Sequence, residues 1–248
     1  MKKVLTAGLL AACVLLAQPK IKSKKEAEAW QAIMSAQGPD AQIAAVEGLL
    51  TMFADTELKP YALQIAMEAA QQKNDTEKAV IYAERSLEAD PKSYSAMLTI
   101  ARITAAGTKE FDFDKEEKLK KVDKLANDAI EVLKTAPKPN PQLPDEQWAG
   151  VKKDLTSQAY EALGIGAMVR KKYDDAITHF KGAIDNAAGP EGSQTPKVRM
   201  AMAMNFAGKY DDALAVLNPL LEDQKLDPAI RKFAAQEKVK ASMAKMKK

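Results

Sequence analysis

Apolar residues recur along most of this chain every three or four positions, the period that gathers them on one face of an α-helix. Leu119, Val122, Ala126, Ala129 and Leu133 form one such stripe. Trp148, Val151, Leu155 and Ala159 form another, and Ile43, Val46, Leu49, Leu50 and Phe53 a third. No run of alternating β-branched residues reads as a strand, so the fold class is all-α. Helix breakers punctuate the stripes: Gly38-Pro39-Asp40, Asp90-Pro91 and the loop from Gly189 to Ser193.

Some stretches repeat one another. Tyr173-Asp174-Asp175-Ala176-Ile177 returns as Tyr210-Asp211-Asp212-Ala213-Leu214. Before the first copy come Tyr160, Leu163, Gly164 and Ala167, and after it Phe180 and Ala183. Before the second come Met200, Ala201 and Met204, and after it Leu217 and Leu220. Upstream, Leu63, Ala66, Met67 and Ala70 lead into Ala79, Ala83, Ser86 and Leu87, closed by Asp90-Pro91. This pattern resembles the tetratricopeptide repeat, two antiparallel helices joined by a tight turn. At the small positions, Gly164 and Ala176, the backbones approach; Tyr160, Leu163 and Phe180 fill the space around them. One hairpin cannot bury its own apolar face, so the resemblance implies a stack. The expectation is a tetratricopeptide-type α-α solenoid of about five helical hairpins with a C-terminal capping helix. Its units are residues 26–59, 60–93, 94–144, 145–190 and 194–227, followed by the capping helix and basic tail, 228–248.

The third and fourth units depart from the pattern. Gly107 to Phe113 is an inserted turn, and Asp114 and Glu117 have capping-box spacing ahead of a long second helix. Ala136 to Pro144 carries four prolines, which favour a stiff, extended connector. Trp148, Val151 and Leu155 then extend the next first helix beyond its usual start. The two long helices are expected to form a hairpin, 114–156, that projects past the ordinary repeats and offers a contact surface. In the capping helix, opened by Pro228, Ile230, Phe233 and Ala234 are expected to face the core, and a lysine-rich side to face water. Trp30 reads as a core residue of a degenerate first repeat.

The chain's start reads differently. Lys2 and Lys3 precede an apolar run, Val4 to Ala17, too short to span a bilayer comfortably. Residues 1–17 read as a signal peptide, with residues 18–25 a basic linker and the mature protein periplasmic or exported. Leu10-Ala11-Ala12-Cys13 resembles the bacterial lipoprotein box, which makes Cys13 a candidate lipidation site and a membrane anchor an open alternative. An uncleaved anchor is the third reading. Cys13 is the only cysteine, so cleavage after Ala17 leaves a chain without disulfides. Loss of Lys2 and Lys3 lowers the formal charge from +3 to +1. A near-neutral chain with 29% charged residues lacks the basic face that nucleic acid selects. The basic runs Lys20–Lys25 and Lys238–Lys248 read as solvated ends, with an acidic partner or anionic lipid the alternative.

Catalytic chemistry finds little support. His179 is the only histidine and sits beside Phe180 at a partly exposed helix position. One histidine and no mature cysteine make a typical zinc site unexpected, and no cofactor is implied. Gly164-x-Gly166 follows no strand and is no phosphate loop. Met200 and Met204 occupy core positions of their repeat. The chain is therefore expected to bind and not to catalyse, with an accessory subunit or an acid-dependent hydrolase as the opposing reading. In proteins of the family it resembles, first helices line a concave groove that takes peptide segments. The matching positions here are Gln64, Glu68, Leu98, Arg102, Glu161, Ile165, Met168, Val198, Met202 and Asn205. A clamp for a C-terminal carboxylate is not expected, because Gln64, Glu68, Glu161 and Ile165 replace the lysine and asparagine it needs. The mixed groove suits a protein segment better than a small charged metabolite.

Overall fold

Residues 19–246 are described by a computed structural model; residues 1–17, read above as a signal peptide, and with them Cys13 lie outside the described residues. Among the described residues the chain forms eleven α-helices and no strand. They run in adjacent antiparallel pairs: α1 (Lys24–Ser35) with α2 (Pro39–Met52), α3 (Lys59–Gln72) with α4 (Thr76–Ala89), and α5 (Tyr94–Gly107) with α6 (Lys115–Thr135). Then come α7 (Asp145–Val169) with α8 (Tyr173–Asn186), α9 (Gln194–Phe206) with α10 (Tyr210–Glu222), and α11 (Pro228–Met246). No described helix is long and apolar enough to cross a membrane.

Local chemistry starts and stops these helices. Ser23, Asp75 and Ser93 each cap a first turn by accepting a backbone N–H, from Glu26, Lys78 and Ala96 respectively. Three of the within-pair turns are the same object. In each, one residue turns left-handed: Asn74, Lys171 or Gly208. The next residue's N–H then reaches back to a carbonyl in the preceding helix: Asp75 to Ala70 at 3.0 Å, Lys172 to Ala167 at 2.9 Å and Lys209 to Met204 at 2.9 Å. This is the bonding pattern of a helix end closed by a left-handed residue. Glycine and asparagine enter that region readily, but lysine does so at a cost. At Lys171 an ion pair with Glu110, 2.6 Å, accompanies the strained backbone.

Packing is built on small side chains. Ala66, Ala70, Ala83, Ala101, Ala126 and Ala129 are all fully buried in one continuous cluster that runs from α1 to α7. Two smaller clusters continue it through α8 and α9 and through α10 and α11. The closest approach is at Gly164. A Cβ there would lie 2.5 Å from Cε1 of Phe180, whose ring is fully buried. Gly182 bears the same relation to Tyr160, at 2.9 Å.

The third and fourth pairs carry the long helices. Trp148 is buried, 6% exposed, and its indole N–H donates to the Ala136 carbonyl at 3.2 Å. That bond ties the proline-rich connector to the start of α7. Arg170 closes the other end, reaching Glu116 and Asp123 on α6 at 3.0 Å each. The insert between α5 and α6 leaves Phe111 and Phe113 in solvent.

Some expectations need correction. Asp114 precedes α6 but does not cap it; its carboxylate pairs with Lys118 at 2.8 Å. Phe233 does not face the core. It is 61% exposed, because Ile230, Ala234, Glu237 and Ala241 occupy the packed side of α11 and leave Phe233 at its edge. The outward side of α11 carries exposed Lys232, Lys240 and Lys245, as expected, but also the apolar Ala235, Val239, Met243 and Met246. The basic run 20–25 is exposed, yet its start is tied to the loop after α2. Lys20 N–H bonds Glu57 at 2.9 Å, and buried Glu26 accepts from Thr56 Oγ1 at 2.6 Å. The Thr56 hydroxyl, and after it the Lys22 backbone N–H, hold the Glu26 carboxyl below its usual pKa.

Two glycines in α7 should respond oppositely to alanine. Gly164→Ala forces Cβ into the Phe180 ring and is expected to cost about 1–3 kcal/mol, relieved by adding Phe180→Leu. Gly150→Ala meets nothing within 4 Å and should gain about 0.5–1 kcal/mol. Thermal or urea unfolding of both variants measures the contrast.

Candidate partner-binding face

Among the first helices and α11, α3 touches α5, α5 packs directly on α7, and α9 packs on α11. Their side chains are linked in series across the face they share. Gln71 Nε2 donates to Thr99 Oγ1 at 2.8 Å, joining α3 to α5. Arg102 Nη1 donates to Gln158 Oε1 at 3.0 Å, joining α5 to α7. Arg199 Nη1 donates to Glu161 Oε1 at 3.1 Å, joining α9 to α7. Asn205 Nδ2 donates to the carbonyl of Glu237 at 3.0 Å and to its carboxylate at 2.9 Å, joining α9 to α11. Each link is worth little by itself at a part-exposed site, but together they fix the spacing and rotamers of the polar groups on this face.

The expected groove residues divide into two sets. Gln64 and Arg102 are exposed, each held by its bond to a neighbour, Glu68 and Gln158 respectively. Glu68 is half-buried and accepts from Gln64 Nε2 at 2.9 Å; burial nonetheless raises its carboxyl pKa above the usual value. Glu161 behaves alike, pushed up by burial against the pull of Arg199 and Arg102. Met202 and Asn205 are half-buried, and Asn205 Oδ1 is a buried acceptor with no donor among the described residues. Leu98 does not belong to the face. It is 2% exposed and sits in the main core with Ala159, Ala162 and Leu163 of α7, because α5 and α7 pack directly on each other. Ile165 and Met168 pack mostly into the junction of the central clusters. Val198 is nearly buried, against α10 and α11, yet its edge walls a cavity.

That cavity, about 340 Å³, lies between α9 and α11. Val198, Met202, Ile230 and Phe233 line it, with Arg199 and Glu237 at its polar border. A smaller one, about 210 Å³, lies where Gln71, Thr99, Arg102 and Ile103 meet the turn of the second pair. A wider cleft of about 640 Å³ opens at the chain turns, between Tyr61, Gln64 and Tyr94 on one side and Pro137 and Pro139 of the connector on the other. Among the described residues no group of three His, Cys, Asp or Glu side chains is placed to hold a metal ion. His179 is half-buried, and burial lowers its pKa.

Reading the sequence by repeat position misses Gln158, Arg199, Phe233 and Glu237. Glu237 carried a usable signal: it is the only acid in α11, a helix otherwise basic and small. Gln158 and Arg199 carried none, since their roles depend on which neighbouring helix lies opposite.

Comparison with known proteins agrees with the helical-repeat fold. The tetratricopeptide repeat family matches residues 167–237. A crystal structure of a thermophilic TPR protein from Thermus thermophilus superposes with a TM-score of 0.53 at 16% identity, over 81% of this chain and 91% of that one. No curated protein matches the chain in sequence.

Glu68 offers a pH test. Its folded pKa lies above the ordinary 4.5, so the folded state holds the proton more tightly than the unfolded chain. The ionised form is therefore a handicap that sets in as pH rises through the folded value and disappears below the unfolded one. Glu68→Gln keeps an acceptor for Gln64 and removes the charge. It should melt higher than the parent at neutral pH and converge with it below about pH 4.

Proposed function

We propose that this tetratricopeptide-type solenoid is a non-catalytic scaffold that binds a segment of another protein across its first helices. The fold class is all-helical hairpins stacked in series, an architecture whose open faces bind extended or helical segments. The observation that carries the reading is the cavity between α9 and α11. It is apolar, large enough for one bulky side chain, and bordered by Arg199 and Glu237, which can fix the orientation of a peptide around that anchor. Exposed Arg102 and Gln64 continue a polar track from it along the same face.

The proposal includes a place. The basic start and apolar run of residues 1–17 support export, and hence a partner in the cell envelope. A lipid-anchored subunit of an envelope assembly is a second reading, favoured by Leu10-Ala11-Ala12-Cys13. Cys13→Ser distinguishes them: membrane retention is lost if the cysteine carries lipid and unchanged if the segment is simply removed.

Affinity capture from an envelope extract tests the face. The parent chain is expected to retain a partner that an Arg102→Glu, Met202→Glu variant of equal helicity loses. Equal retention by both would move the contact to another surface, the 114–156 hairpin first.

A further inference from the structure

The C-terminal helix carries an exposed apolar stripe apart from the face shared by the first helices. Ile230, Ala234, Glu237 and Ala241 face α9 and α10 and close the core. On the opposite side, Val239, Met243 and Met246 are 55%, 52% and 80% exposed, with Ala235 beside them and the exposed polar side chains of Lys232 and Gln236 toward the start of the helix. Their spacing makes one continuous stripe along the helix. Every other first helix has a second helix of its own pair packed against it; among the described residues nothing covers α11 on this side. The helix stands where the first member of a pair stands, and its outward stripe is where a second member would lie.

The chemistry of the stripe selects its occupant. Ala235 and Ser242 leave room for a helix backbone to come close, and Val239 and Met243 are of a size to interlock with a partner's side chains. The stripe has none of the tryptophan, phenylalanine or leucine that anchors an interfacial helix in lipid. Its borders are basic. Lys232 and Lys238 make no ion pair among the described residues, and Lys240 reaches back to Glu237 at 2.6 Å. Glu237, the one acid of α11, is buried and turned toward α9. A second copy of this helix would therefore set lysines against lysines. Opposite charge suits the site instead, as Lys245, paired with Asp211 of α10, illustrates within the chain. We propose that α11 docks an amphipathic helix of a partner protein, with a small apolar seam flanked by Asp or Glu, completing the unpaired last repeat.

The test uses the full chain and a short designed peptide, labelled for fluorescence anisotropy, that forms an amphipathic helix with a Leu/Ala seam and glutamate flanks. Binding is expected, weakening as salt rises. Val239→Asp with Met243→Asp should reduce affinity at least about tenfold with helicity unchanged, since both side chains are in solvent. Lys238→Glu should weaken the glutamate-flanked peptide and favour a lysine-flanked one. Arg102→Glu with Met202→Glu, on the other face, should change nothing, which separates this surface from the groove. The proposal is overturned if the acidic peptide does not bind, or if the lysine-flanked peptide binds the parent equally well. It is overturned equally if sedimentation shows a dimer that Val239→Asp with Met243→Asp disperses. Binding to phosphatidylglycerol vesicles in place of the peptide, abolished by the same substitutions, would assign the stripe to lipid.

Discussion

The spacing between helices, set by side chains no larger than a methyl group, is the constraint on which the stack depends. Alanines 66, 83, 101, 126 and 129 are buried without remainder, and at Gly164 even a methyl group would collide with Phe180. Close packing of this kind tolerates little change in volume. The larger residues, Leu63, Leu119 and Phe180, then fill the gaps that the close contacts leave. Helix propensity points the same way, since alanine is the best helix former and needs no side-chain ordering. Local preference and long-range packing thus favour the same structure.

Most of the architecture was legible because the repeat positions are local. Tyr-Asp-Asp-Ala at 173–176 and 210–213 marks the start of a second helix whatever lies around it, and the extended stripe through Trp148 announces the long α7. The site was less legible, for a physical reason. Whether a first-helix residue faces a ligand depends on the neighbouring pair. Leu98 occupies a groove position by repeat register, yet direct packing of α5 on α7 buries it. Phe233 lies one position short of the packed side of α11, a difference of a fraction of a turn that hydrophobicity does not reveal. Arg199 and Gln158 became visible only once their partners on α7 and α5 stood opposite them.

The polar links across the first helices have a place in the same scheme. Apolar packing fixes how near the helices come but leaves sliding and rotation weakly determined. Hydrogen bonds such as Gln71 to Thr99 and Asn205 to Glu237 have narrow geometry and fix what packing leaves open. They also place charged groups at set intervals before any ligand arrives, so less ordering remains for binding to accomplish.

The three identical turns, at Asn74, Lys171 and Gly208, bear on how such a chain changes length. Each closes its pair with the same backbone bonds and makes no demand on pairs further along. A duplicated hairpin therefore needs no new kind of joint; it enters the series as one more link whose neighbours already fit it. The length of such a stack is therefore a quantity that can grow or shrink by whole hairpins without redesign of the joints between helices.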